Sequence, residues 1–228
     1  MNKPIECIFN DIPCVANRSE PCVPIGIVVH STGANNKNLK RYVQPSKTDP
    51  NYDEIISVIG LNKNNNSWNR KSSKKSAHYV GGINAEGKFM FAHCVPEDLC
   101  SWTIGKGKNG SYNYEPTAHI QIEICEDNLS DFNYFTEMYM ELVELCADIC
   151  ARHNFKVSSV VSHKEAHKLG YGSNHKDIDH WLEKFGVTMD ILRKDIQECI
   201  YDKEFVKFIA TLNKNGEKVT VEGSYRIV

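Results

Sequence analysis

A chain of 228 residues with 41% hydrophobic and 25% charged residues has enough apolar material for one α/β domain of ordinary size and a short appendage. Its formal net charge of -2 excludes the strongly basic character that general nucleic-acid binding needs. No apolar run approaches the ~18 residues of a bilayer span, which excludes membrane insertion, and Met1 to Cys14 lacks the charged-then-apolar pattern of a secretory signal.

In chain order, β-branched and apolar runs predict strands at Ile25–His30, His78–Ile83, Lys88–Val95, His119–Cys125 and Val157–His163. Between the first two lies Asn62–Lys75 (NKNNNSWNRKSSKK), polar, basic and rich in turn formers, which reads as a solvated surface loop. After the fourth strand, Ser130 is placed to cap a helix whose stripe is Phe135, Met138, Leu142, Leu145, Cys146 and Ile149. A second helix is expected from about Thr188, with Ile191, Leu192, Ile196 and Ile200 on its apolar side. Strands alternating with helices predict a central mixed sheet flanked by helices. From about Phe205 the texture changes, and Asn215-Gly216 between two β-prone runs signals a hairpin. Residues 1–200 are therefore expected to form the main domain, and 201–228 a small helix/β-hairpin appendage too short for its own core.

The nine cysteines are odd in number, contain no CxxC pair and show no framework spacing. They read as reduced, buried thiols in a protein made in the cytosol.

Among the nine histidines, His30 and His163 each end an apolar run, where α/β folds gather ligands. Asn174-His175-Lys176-Asp177 follows in the next loop. Two imidazoles and a carboxylate with one open position make a catalytic zinc site, while a pair of satisfied core histidines is the competing reading. His119 lies four residues before Glu123, so alternation puts both on one sheet face, and His78 stands either near the site or in the packing.

Taken together, VVHST, SAHYV, the WTIG segment, the IQIE strand and SHKEA followed by HKD, spread over Ile25 to Trp181, resemble the type 2 N-acetylmuramoyl-L-alanine amidase family. The string SNHKDIDHW is similar to amidases of clostridia-like bacteria and their phages. The resemblance implies zinc (Zn2+) on His30, His163 and Asp177, with Glu123 and His175 as catalytic residues. It implies substrate contacts at Trp102 and Gly105, and His78 and His119 are added as nearby candidates. The implied substrate is bacterial peptidoglycan, cut between the lactyl group of muramic acid and L-alanine. The enzyme would be made in the cytoplasm and act on the cell wall after release, as a phage endolysin or an autolysin; a non-catalytic wall-binding module and a cytosolic muropeptide amidase are the alternatives. Four departures from the family pattern stand out, the first a stretch from His163 to Asp177 longer than usual. His175 occupies a position usually held by lysine, Ile178 follows Asp177 in place of Pro-Gly, and Ala77 stands where some phage members have tyrosine.

Overall fold

The computed structural model describes residues 3–11, 21–201 and 206–225. Cys14 and the ends of the expected appendage lie outside them.

Six short strands form one mixed sheet in the order β1-β4-β3-β5-β2-β6: β1 Ile5–Glu6, β2 Ile27–Ser31, β3 Tyr79–Ile83, β4 Phe89–His93, β5 Ile120–Ile124 and β6 Val160–Ser162. Only the β3–β4 pair is antiparallel. At the centre, β2 and β5 run in parallel register, Ile27 against Ile120 and His30 against Glu123. Period-two alternation then sorts the side chains. Ile27, Val29, Ile120, Ile122 and Ile124 enter the main core, where they meet the long helix α2, Phe132–His153. His30, Gln121 and Glu123 occupy the alternate positions, together with Val28, which packs against Ile104, Tyr112 and Val161. Burying one aliphatic side chain is worth about 1.5–3 kcal/mol, so the strand registers that keep these isoleucines inside also fix where the polar residues point.

The remaining elements are the helices α1 Tyr52–Ile59, α3 His163–Leu169, α4 Asp179–Leu182 and α5 Met189–Tyr201, with short 3-10 turns, and the ribbon β7 Val206–Lys214 and β8 Glu217–Tyr225. The described cysteines are buried thiols outside any disulfide. No described helix is long and apolar enough to cross a membrane.

Several expectations need correction. The cap of α2 is Asp131, whose Oδ1 accepts from Tyr134 N, while Ser130 Oγ turns to Asn128. The last sheet strand is only Val160–Ser162: Val157–Ser159 is a 3-10 turn, and Ser162 and Glu165 form a capping box that makes His163 the first residue of α3. Helix α1 carries no Ser, Thr or Asp cap and only two fully buried residues, Ile55 and Ile59, a pattern too brief to stand out. The loop Asn62–Lys75 is anchored, with Ser67, Asn69 and Ser73 buried and Trp68 against Tyr42.

Thr188 does cap α5, its Oγ1 accepting from Ile191 N. Asn215 and Gly216 form the two-residue turn between Lys214 and Glu217, both with positive φ (51° and 85°), as a type I′ hairpin requires. The ribbon leans on the body. Lys214 Nζ lies 5.1 Å above the Phe132 ring, and Asn213 fills the space beside Gly186.

Candidate active site

The parallel strands end on one side of the sheet, and the loops that follow them meet over a cavity of about 540 Å³. It is lined by His30, Glu123, His163, His175, Asp177 and Gly105, and also by Trp68, Lys75, Thr103, Ser173, Lys176 and His180. His30 comes from β2, Glu123 from the neighbouring β5, His163 from the start of α3, and Asp177 from the turn before α4.

Three atoms converge. His30 Nδ1 lies 3.1 Å from His163 Nδ1 and 3.2 Å from Asp177 Oδ2, and His163 Nδ1 is 3.0 Å from the same oxygen. No other cluster of His, Cys, Asp and Glu among the described residues has metal-binding geometry. A tetrahedral zinc ion with bonds of ~2.0 Å has ligand–ligand edges of about 3.3 Å, close to this triangle.

The far side of each ring offers a partner that can hold its proton. The Gln121 amide nitrogen donates to Tyr112 O at 3.0 Å and His119 O at 3.2 Å, which leaves its Oε1 to accept from His30 Nε2 at 2.8 Å. His163 Nε2 lies 3.2 Å from Ser173 Oγ, a hydroxyl able to accept its proton. With protons on Nε2, both Nδ1 nitrogens and the Asp177 carboxylate face one point, an arrangement that repels unless a cation sits there, a metal ion or, without one, a proton on Nδ1 shared with Asp177. The chemistry of the donor set therefore fits a metal ion. Ser173 reaches His163 only because residue 105 is glycine: a Cβ there would lie 2.6 Å from Ser173 Oγ.

The electrostatics follow from burial and these contacts. Burial lowers the His163 pKa, against the opposing hydrogen bond to Asp177. Burial works the same way on His30, but Asp177 and the charge of Glu123 outweigh it and raise the pKa. Burial would raise Asp177, yet its bonds to both imidazoles hold it well below the usual carboxylate range. Glu123 is pushed up to about 7, chiefly by desolvation and partly offset by His30. A buried carboxyl that titrates near neutrality is suited to taking and returning a proton.

His175 is more exposed, its ring stacked on His163 at 4.9 Å and its Nδ1 3.8 Å from Asp177 Oδ1. Trp102, 40% exposed, lines an adjoining groove of about 530 Å³ that shares Gly105 with the cavity. His78 and His119 do not reach the cavity. His78 bridges the sheet, accepting from Gln121 N and donating to Leu99 O, both at 2.8 Å. His119 bonds Thr117 O and stacks on Tyr112 at 3.8 Å. Burial pushes the pKa of each down to about 4. Both are framework groups that support Gln121.

Sequence reasoning missed Gln121, Ser173 and Trp68; it allows His180 either a surface place or a role bracing the Asp177 loop, and the basic residues of Asn62–Lys75 a contact with an anionic substrate as the lesser alternative to a solvated loop. His180 braces the loop, bonding Lys176 O at 3.0 Å and Glu126 at 3.1 Å. The Gln121 signal was present: an amide between isoleucines on the Glu123 face of β5 needs partners when buried.

Among solved structures the chain is similar to the Staphylococcus aureus hydrolase AmiA bound to its ligand (18% identity, TM-score 0.54, covering 85% of this chain and 81% of that one). It also matches the catalytic domain of XlyA (20%, 0.54, 85% and 99%) and a mutant endolysin from Bacillus subtilis (21%, 0.55, 86% and 99%). At these identities the likeness speaks for the fold. Comparison with curated protein sequences gives no match. The profile of the family described as N-acetylmuramoyl-L-alanine amidase matches residues 20–178. That stretch carries β2 to β6 and every residue of the converging triad, and the chain belongs to the N-acetylmuramoyl-L-alanine amidase family.

Proposed function

We propose that this chain is a zinc-dependent enzyme that hydrolyses the amide between the lactyl group of N-acetylmuramic acid and L-alanine in peptidoglycan, acting on the cell wall as an endolysin or autolysin. The observation that carries the reading is the convergence of His30, His163 and Asp177 beside a buried Glu123 in one open cavity. His30, His163 and Asp177 would hold the ion. Zinc bound there supplies the Lewis acidity that makes water nucleophilic near neutral pH.

The chain's own groups do the rest. Glu123 takes the proton of the attacking water and passes it to the nitrogen of the breaking C–N bond, so that L-alanine leaves as a neutral amine. His175, at the mouth of the site, donates a hydrogen bond to the carbonyl oxygen as negative charge develops there. Gln121 and Ser173 keep the two imidazoles in the tautomer that presents Nδ1. Gly105 and Trp102 border the path of the substrate, and residues 201–228 form an appendage to the catalytic domain.

A soluble muramoyl peptide incubated with the protein, with and without a chelator, tests the reading. Release of a free L-alanine amine that stops with chelator and returns with added zinc is expected. Intact substrate in every tube would overturn it.

A further inference from the structure

Cations around the site are mostly spoken for. His180 pairs with Glu126, Lys164 with Asp179 and Glu183, and Arg193 with Glu165. Lys75 and Lys176 differ: both line the cavity, and among the described residues neither forms an ion pair. Lys75 also differs from Lys63, Lys71 and Lys74 of the same loop, which do not line the cavity.

The backbone of Lys75 is clamped. Ser73 Oγ accepts from Lys75 N at 3.3 Å and donates to Lys75 O at 3.0 Å. Next to it, Ser76 N donates to Trp102 O at 3.0 Å, and Ser76 O accepts from Thr103 Oγ1. A cation on a fixed stem loses less freedom when it meets an anion. Lys75 lies near enough to Glu123 to lower its pKa, but among the described residues it forms no ion pair with Glu123 or with Asp177, which the histidines hold.

The adjoining groove behind Gly105 offers the rings of Trp102, Tyr114 and Tyr171, with Lys106 and Glu115 balancing each other in charge. Both arms are formally neutral, but only in the cavity do two lysines, Lys75 and Lys176, stand beside the groups placed at the reacting centre. Of the two halves of the substrate, the peptide is the one with a carboxylate near the cut. An α-carboxylate on the second stem residue lies about 7 Å from the scissile carbon, two residues at ~3.5 Å each.

We propose that Lys75, together with Lys176, forms a carboxylate-binding site for the stem peptide, so that the enzyme selects stems whose second residue carries a free α-carboxylate over stems in which it is amidated. This rests on the amidase reading above.

The test uses two soluble muramoyl peptides that differ only at that carboxyl, free acid against primary amide, with kcat/KM from release of the L-alanine amine and Kd from calorimetry. The acid is expected to be favoured by about tenfold in both measurements. Lys75→Gln should bring the ratio near one, and Lys75→Arg should keep most of it. Lys74→Gln, outside the cavity on the same loop, should leave the ratio at the wild-type value. Equal handling of acid and amide by the wild type, or an unchanged ratio in Lys75→Gln, would overturn the proposal. If neither peptide is cleaved, the amidase reading fails, while the two Kd values still decide the carboxylate site.

Discussion

Replacing Gln121 with leucine should weaken metal binding without touching a proposed ligand. Gln121 is fully buried and its side chain makes three hydrogen bonds: from His30 Nε2 at 2.8 Å, to Tyr112 O at 3.0 Å and to His119 O at 3.2 Å. Leucine preserves the bulk and deletes all three. His30 is then free to turn or to carry its proton on Nδ1, which faces Asp177. Loss of such an orienting partner typically costs 10- to 100-fold in metal affinity, about 1.4–2.7 kcal/mol. The His119 carbonyl and the His30 imidazole N–H, left without this partner, add a separate folding cost of about 1–3 kcal/mol each, less whatever relaxation and water recover, while Tyr112 O keeps its bond from His119 N. Zinc affinity measured by chelator competition, alongside urea unfolding of the metal-free protein, separates the two effects. Gln121→Glu, which keeps an acceptor for His30 but loses the donors, should fall between wild type and leucine in affinity. A Gln121→Leu protein that folds and binds zinc within twofold of wild type would refute the claim that this amide sets the His30 tautomer.

Three other perturbations probe separate links. Glu123→Gln should lower kcat by at least 10²-fold while bound zinc stays stoichiometric by elemental analysis; retained turnover would remove Glu123 as the proton carrier. Gly105→Ala places a Cβ 2.6 Å from Ser173 Oγ, so Ser173 should leave His163 and zinc affinity should fall by about tenfold, read by the same competition assay. The pH dependence of stability follows from His78, whose pKa burial lowers to about 4, against about 6.5 when unfolded. Below pH 6.5 the unfolded chain takes up a proton that the folded one refuses until about pH 4. Stability is thus fully present above 6.5 and falls toward 4, by roughly 1.4 kcal/mol per pH unit for this group. Urea titrations at pH 7 and pH 5 should show a shallower loss in His78→Gln, and equal slopes would contradict the assignment.

Much of this architecture was legible in the sequence because the central strands alternate cleanly. Ile27 and Val29 against His30, and Ile120, Ile122 and Ile124 against Glu123, announce both the buried face and the face that carries chemistry. The Asn215-Gly216 turn was equally plain, since few dipeptides tolerate two successive left-handed residues. What was hidden depends on tertiary approach. Ser173 becomes a partner of His163 only through the close passage of Gly105, and Lys75 enters the cavity only because Ser73 and Ser76 pin a loop whose composition is that of a solvated one. His78 and His119 sit on or beside the correct strands, yet hydrogen bonds within the framework draw them inward, which strand position alone does not reveal. The capping box Ser162–Glu165 was present as a local signal that the strand stops before His163.

The central claim is tested most directly on purified peptidoglycan sacculi digested with the zinc-loaded protein, by identifying the new end groups. A rise in free L-alanine amino termini is expected, without new reducing sugar ends and abolished by a chelator. New reducing ends, or sacculi that are bound but release no amine, would contradict it.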